Sequence, residues 1–106
     1  MEHKLRIEFK LYLGMSYLDD NAEVQEIDGE QIANFLLTIA TPLIPAYTLI
    51  NTVGSWEGTI EPGIILIRIG SNEDRVKIKE IGTAYKARFR QDAVYLTETM
   101  IETEVI

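Results

Sequence analysis

The sequence contains no cysteine. Disulfides, zinc–thiolate sites and thiol nucleophiles are excluded with it. There is one histidine, His3, in a segment expected to fray. That leaves no Ser-His-Asp relay and no histidine-rich metal site. Long apolar runs are missing as well. The longest aliphatic run is Ile64 to Ile67, far short of the ~20 residues that a membrane helix needs. No signal-peptide pattern precedes the first strand. Positive charge is scarce: 10 Lys and Arg stand against 17 Asp and Glu, for a formal net charge of −7. Affinity for phosphate backbones and anionic lipid surfaces comes from basic clusters, so neither nucleic acid nor a membrane is an expected partner. What remains is 106 residues with 46% hydrophobic content, read as one domain, residues 1–106, of a cytoplasmic protein.

The charge that is present is unevenly placed. From Leu11 to Ile67 there is no Lys, Arg or His, while Asp19, Asp20, Glu23, Glu26, Asp28, Glu30, Glu57 and Glu61 fall inside that stretch. Arg68, Arg75, Lys77, Lys79, Lys86, Arg88 and Arg90 crowd the segment after it. Acids without compensating bases form either a solvated acidic surface or a place for a cationic ligand. The phosphate-cradling glycine motifs are absent. Asp19-Asp20 lacks the further ligand spacing of a divalent-metal loop, and no metal or cofactor is expected.

Leu5, Ile7, Phe9, Leu11 and Leu13 alternate with Lys4, Arg6, Glu8, Lys10 and Tyr12, the pattern of a strand with one buried face. Gly14 to Glu26 reads as a polar loop. Asp28 and Gln31 predict a capping box, and Ile27 with Ile32 a hydrophobic staple. Ile32, Phe35, Leu36 and Ile39 continue a helix that Pro42 and Pro45 should end. A second strand is expected over Tyr47 to Val53, and a turn over Gly54 to Gly58. The third strand is strongest from Ile64 to Ile69 and is interrupted near Glu61-Pro62-Gly63. Ser71-Asn72-Glu73-Asp74 is a second capping signal. Val76, Ile78, Ile81, Tyr85 and Phe89 mark a second helix, with Tyr85, Arg88, Phe89 and Gln91 read as core. Ala93 to Leu96 opens a last strand, which Thr97 to Ile106 extends or edges. The order β-α-β-β-α-β is that of a ferredoxin-like α+β sandwich, an antiparallel sheet with two helices on one face. The third strand is apolar on both faces, which points to a second cover and hence an oligomer, a dimer or trimer.

The residues with most chemical potential lie from Tyr47 to Gly63. Trp56 can stack on a flat ring or attract a cation through its face. Glu57 beside it can hold a cation, and Glu57 with Glu61 makes a loose carboxylate pair. Tyr47 offers a neutral hydroxyl, Ser55 lies between them, and Tyr12 can line the open sheet face.

Two resemblances follow. Gly54-x-Trp56 with Tyr85-x-x-Arg88-Phe89-x-Gln91-x-x-Val94 resembles a small uncharacterised bacterial lipoprotein family of ferredoxin-like fold. The runs Glu8 to Gly14, Pro45 to Thr48, Gly54 to Trp56 and Arg90 to Val94 are together similar to the phage-encoded S-adenosylmethionine lyases, formerly called S-adenosylmethionine hydrolases. The second resemblance implies a cofactor-free homotrimer with its site near subunit interfaces. It implies cleavage of S-adenosylmethionine to methylthioadenosine and homoserine lactone, which depletes the host's supply as an anti-restriction measure. The substrate's own carboxylate is then the nucleophile, so a chain without Cys and with one His can still be an enzyme. The family uses a glutamate and a tyrosine. The matching residues here are Glu57, with Glu61 as the alternative, and Tyr47, with Trp56, Ser55 and Tyr12 helping to enclose the substrate. A non-catalytic, ligand-binding ferredoxin-like oligomer is the competing expectation.

Overall fold

The alternation that opens the sequence forms β1 (Glu2–Gly14), the strand around which the sheet is built. The computed structural model describes residues 2–106, the side chains of Glu2 and Trp56 excepted. A short hairpin, β2 (Ser16–Leu18) with β3 (Val24–Glu26), replaces the expected loop. Then come α1 (Gly29–Phe35), a π-helical turn (Leu36–Ala40), α2 (Thr41–Leu43), β4 (Thr48–Trp56), β5 (Thr59–Gly70), α3 (Asp74–Arg88) and β6 (Tyr95–Val105). The main sheet has the order β4-β5-β1-β6, every pair antiparallel. This is the ferredoxin-like α+β arrangement that the order of elements predicts.

The capping box forms as expected. The Asp28 carboxylate accepts from the Gln31 amide at 2.8 Å, and the Gln31 side chain accepts from the Asp28 amide at 3.0 Å. Ile27 and Ile32, the staple pair, are both buried. Pro42 does not end this helical run, which continues to Leu43. In a continuing α-helix the ring of Pro42 would press on the carbonyl four residues back. The chain widens into a π turn instead, and the Thr41 amide donates to Leu36 O, five residues back. Pro45 lies beyond the helical end.

Pro62 does not interrupt β5 either. It stays in register opposite Val53, and its carbonyl accepts from the Met15 amide at 3.0 Å. A regular antiparallel pair would return a bond from residue 62 to Met15 O. Proline has no N–H to give, and the Met15 carbonyl instead takes the Ile27 amide at 2.8 Å. The missing donor lets the segment before α1 dock on the end of β1.

The helices cover one face of the sheet. Phe9, Leu11 and Leu13 of β1 and Ile64 and Leu66 of β5 meet Ile32, Phe35 and Leu36 from the first helical run, and Ile78, Ile81 and Tyr85 from α3. Leu5 and Val76, expected in the core, lie outside it. Leu5 is 73% exposed because β1 pairs with β5 only from Ile7 onward, so its first residues form a two-stranded ribbon with β6. Val76 is 74% exposed on α3. At the start of α3 the second capping signal is only half used. Asp74 accepts from the Ser71 amide, while the N-cap residue Glu73 makes no side-chain cap. The last segment does extend the final strand as an edge. Among the described residues no helix is long and apolar enough to cross a membrane.

Candidate functional site

At the end of β1 the strict alternation stops at Gly14-Met15-Ser16, and polar groups from four parts of the chain converge there. The Ser16 hydroxyl donates to Glu61 Oε2 at 2.7 Å. The Tyr85 hydroxyl, reaching out from α3, donates to Gly14 O at 2.5 Å. Gln91 Nε2 donates to Ser16 O at 2.9 Å and to Phe89 O at 3.0 Å. Gly14 makes the convergence possible. A Cβ there would lie 2.5 Å from Gln91 Oε1 and 3.2 Å from Glu61 Oε1.

Glu61 is half-buried, with one oxygen held by Ser16 and Oε1 making no hydrogen bond to a described residue. Its negative charge adds to the effect of burial on Tyr85, and the two together push the Tyr85 hydroxyl well above its ordinary pKa of 10.0. Tyr85 therefore remains a neutral donor. The arrangement is a fixed carboxylate oxygen beside neutral hydrogen-bonding groups, suited to holding a cation such as an ammonium.

A group whose protonated form is favoured by folding stabilises the fold below its unfolded pKa and loses that contribution as pH rises beyond it. Stability is therefore expected to fall above pH 10.0. Tyr85→Phe is expected to cost about 1–3 kcal/mol at neutral pH, because it leaves the Gly14 carbonyl without its donor. It should also flatten the alkaline decline. Urea melts at pH 7 and above pH 10 read both effects, and an unchanged alkaline slope in the variant would contradict this role.

The other expected site residues are spread along the sheet. Glu57 and Gly58 form a two-residue hairpin turn with φ of 47° and 80°, the positive pair of a type I′ turn. The Glu57 side chain is exposed and makes no hydrogen bond or ion pair with a described residue. Ser55 and Trp56 belong to β4 rather than to the turn. Ser55 is exposed opposite Ile60, and the Trp56 side chain lies outside the described residues. Tyr47 precedes β4, half-buried, its hydroxyl 2.9 Å from Thr41 Oγ1. Tyr47 and Glu57 thus bracket β4, roughly 30 Å apart at the rise of an extended strand. One chain alone does not bring them together. Tyr12 lies on the open sheet face, in a cross-strand row with Ile50, Ile65 and Tyr95.

Ser16 and the site roles of Tyr85 and Gln91 are additions to the sequence reading. Arg88, read as core, is exposed, and Gln91 sits half-buried beyond the helix rather than inside it. Asp19 serves its own hairpin. Its carboxylate accepts from the Asn21 and Glu23 amides and from Gln25 Nε2, at 2.8–3.0 Å. These bonds, the one from Glu23 first, hold its carboxyl below the usual range.

A family model described as "Protein of unknown function (DUF3574)" matches residues 8–104. The chain belongs to that family. This DUF3574 protein shares its fold with two structures of a phage SAM lyase. One, in complex with S-methyl-5'-thioadenosine, is 15% identical, with a TM-score of 0.65 over 94% of this chain and 90% of that one. The other, in the apo state, is 18% identical, with a TM-score of 0.67 over 94% and 86%. CPII, a nitrogen regulatory PII-like protein from Thiomonas intermedia K12 bound to ADP, AMP and bicarbonate, is 11% identical, with a TM-score of 0.56 over 99% of both chains. At these identities the likeness is one of fold. No curated protein matches the DUF3574 chain.

Proposed function

We propose that the protein is an S-adenosylmethionine lyase. The observation that carries this reading is the half-buried Glu61 carboxylate held at Ser16, on a fold shared over 94% of the chain with a phage SAM lyase. In the reaction, an oxygen of the substrate's carboxylate attacks the carbon next to the sulfonium. A carbon–oxygen bond forms, the carbon–sulfur bond breaks, and its electron pair goes to sulfur. The products are neutral methylthioadenosine and homoserine lactone. No proton is transferred and no enzymic nucleophile is consumed.

The protein's part is to hold the substrate in the attacking geometry, which can supply several kcal/mol of barrier lowering, about 7–11 in favourable intramolecular cases. Glu61 takes the substrate ammonium, leaving the substrate carboxylate free to attack. Of the two carboxylates weighed from the sequence, Glu61 is the one already fixed by a neighbour, and Glu57 stands exposed in a turn. Tyr47 and Trp56 are assigned to enclosure of the methionine and adenosine portions, with Ser55 and Tyr12 as further contributors. Glu61 pairs with Gly54, seven positions along the chain from Tyr47, so a site that uses both Glu61 and Tyr47 draws on more than one subunit. The open face supports the same reading. Ile50, Ile65, Tyr12 and Tyr95 form an apolar row across all four strands, which a homotrimer would cover.

The purified protein is expected to convert S-adenosylmethionine to methylthioadenosine without added metal or cofactor, as a species sedimenting at three times 12.1 kDa. Chromatography of timed samples reads the conversion. The PII-like neighbour favours a second reading, a non-catalytic nucleotide-binding regulator. Saturable heat of nucleoside binding with unchanged substrate would select it and overturn the lyase.

A further inference from the structure

In a chain with a net charge of −7, two arginines line one cleft. Arg88 and Arg90 line a hollow of about 260 Å³ between α1 and the end of α3, together with Tyr17, Gln31, Asn34 and Phe89. Each guanidinium is seated on an aromatic ring. Arg88 lies 5.5 Å from the Phe35 centroid and Arg90 5.5 Å from that of Tyr17. At that distance the ring face attracts the guanidinium and restrains it.

The backbone supports the arrangement at a cost. The Gln91 amide donates to Lys86 O at 3.1 Å, the long-range bond of a Schellman motif. Arg90 therefore occupies the left-handed position that glycine fills more cheaply, with φ of 52°. A non-glycine residue is strained there. The side chain gained in return is one that lines the cleft.

The guanidiniums are also weakly committed. Arg88 makes no ion pair with a described residue. Arg90 pairs with Asp20 at 2.6 Å, but the Asp20 side chain is 92% exposed, and a pair of that kind is readily displaced. Gln31 and Asn34, one turn apart on α1, add amide donors. Gln31 spends its carbonyl on the capping box, which leaves its NH2 group for a ligand.

We infer that this cleft binds the oxyanion group, carboxylate or phosphate, of a small molecule, gripped by Arg88 and Arg90 and supplemented by Gln31 and Asn34. The volume falls below the ~300–1,000 Å³ of a drug-sized pocket, so the site takes the anionic group and a short substituent. It adjoins the Glu61 cluster, since Tyr17, Phe89 and Arg90 neighbour Ser16 and Gln91 along the chain, but its lining shares no side chain with that cluster, and anion binding there stands or falls independently of the reaction proposed above.

The test follows the arginine Nε–H signals by NMR while inorganic phosphate is added in one arm and acetate in the other, at constant ionic strength. Saturable shifts confined to Arg88 and Arg90 are expected, with Arg68 and Arg75, held by Asp74 and Glu98, unmoved. The arm that saturates at lower concentration identifies phosphate or carboxylate as the preferred group. Arg88→Gln should weaken binding roughly tenfold or more. Asp20→Asn should tighten it by removing the competing carboxylate. Non-saturating shifts of all arginines alike, or binding unaffected by Arg88→Gln, would overturn the inference.

Discussion

Phe35→Ala is expected to remove about 3–5 kcal/mol of folding stability, a large share of the roughly 5–15 kcal/mol that a domain commonly has. Phe35 is fully buried and meets Tyr85 and Phe89 edge-on, with ring centroids 5.2 and 5.8 Å away. Tyr85 and Phe89 are themselves 4.7 Å apart. The three rings fasten the first helical run to α3, so truncating the central one opens a cavity between layers and removes two ring–ring contacts. The same ring seats Arg88, so the cleft beside α3 should loosen as well. Leu37→Ala, two residues along on the exposed side, provides the comparison and should fall within about 0.5 kcal/mol of the parent. Denaturant melts of both variants read the difference. A loss of less than about 1 kcal/mol for Phe35→Ala would mean that the ring cluster does not hold the layers together.

Glu61→Gln is expected to lower turnover of S-adenosylmethionine by about 100-fold, the scale of losing a charge-assisted contact to the substrate ammonium. The substitution is close to isosteric. The new amide oxygen can still accept from Ser16, so the fold should persist while the charge disappears. Glu57→Gln should stay within a few-fold of the parent, since its side chain is exposed in the hairpin turn. Steady-state rates for the three proteins, with melts to confirm folding, decide between the carboxylates. A Glu61→Gln enzyme of parental rate beside a disabled Glu57→Gln enzyme would reverse the assignment.

The sheet was legible because its signals are local. Alternation from Leu5 to Leu13, the Asp28–Gln31 box and the apolar faces of both helices each depend on residues a few positions apart, and together they give the element order. The prolines misled because their tolerance depends on distant partners. Pro62 fits β5 because the Ile27 amide supplies the hydrogen bond that proline cannot offer the Met15 carbonyl. Pro42 fits its helix only through the π turn from Leu36.

The site was less legible for the same reason. Ser16, Glu61, Tyr85 and Gln91 are 45 to 75 positions apart where they bond, and no sequence spacing encodes that meeting. Two signals existed: the broken alternation at Gly14, and a tyrosine on the buried face of α3 whose hydroxyl needed an acceptor. Glu61 was visible as an acid in a base-free stretch, but its half-burial was not. Under the proposed lyase reaction the absence of cysteine and the lone histidine do not count against an enzyme, because a substrate that carries its own carboxylate as nucleophile needs neither.

The central claim is that the substrate's own carboxylate breaks the carbon–sulfur bond. Running the reaction in ¹⁸O-water and locating the label by fragment mass spectrometry tests it most directly. Internal attack predicts unlabelled lactone at early times, and label only in the carboxyl group of any homoserine formed when the lactone opens. Label in the homoserine hydroxyl would show that water attacked the carbon next to sulfur, and would contradict the account.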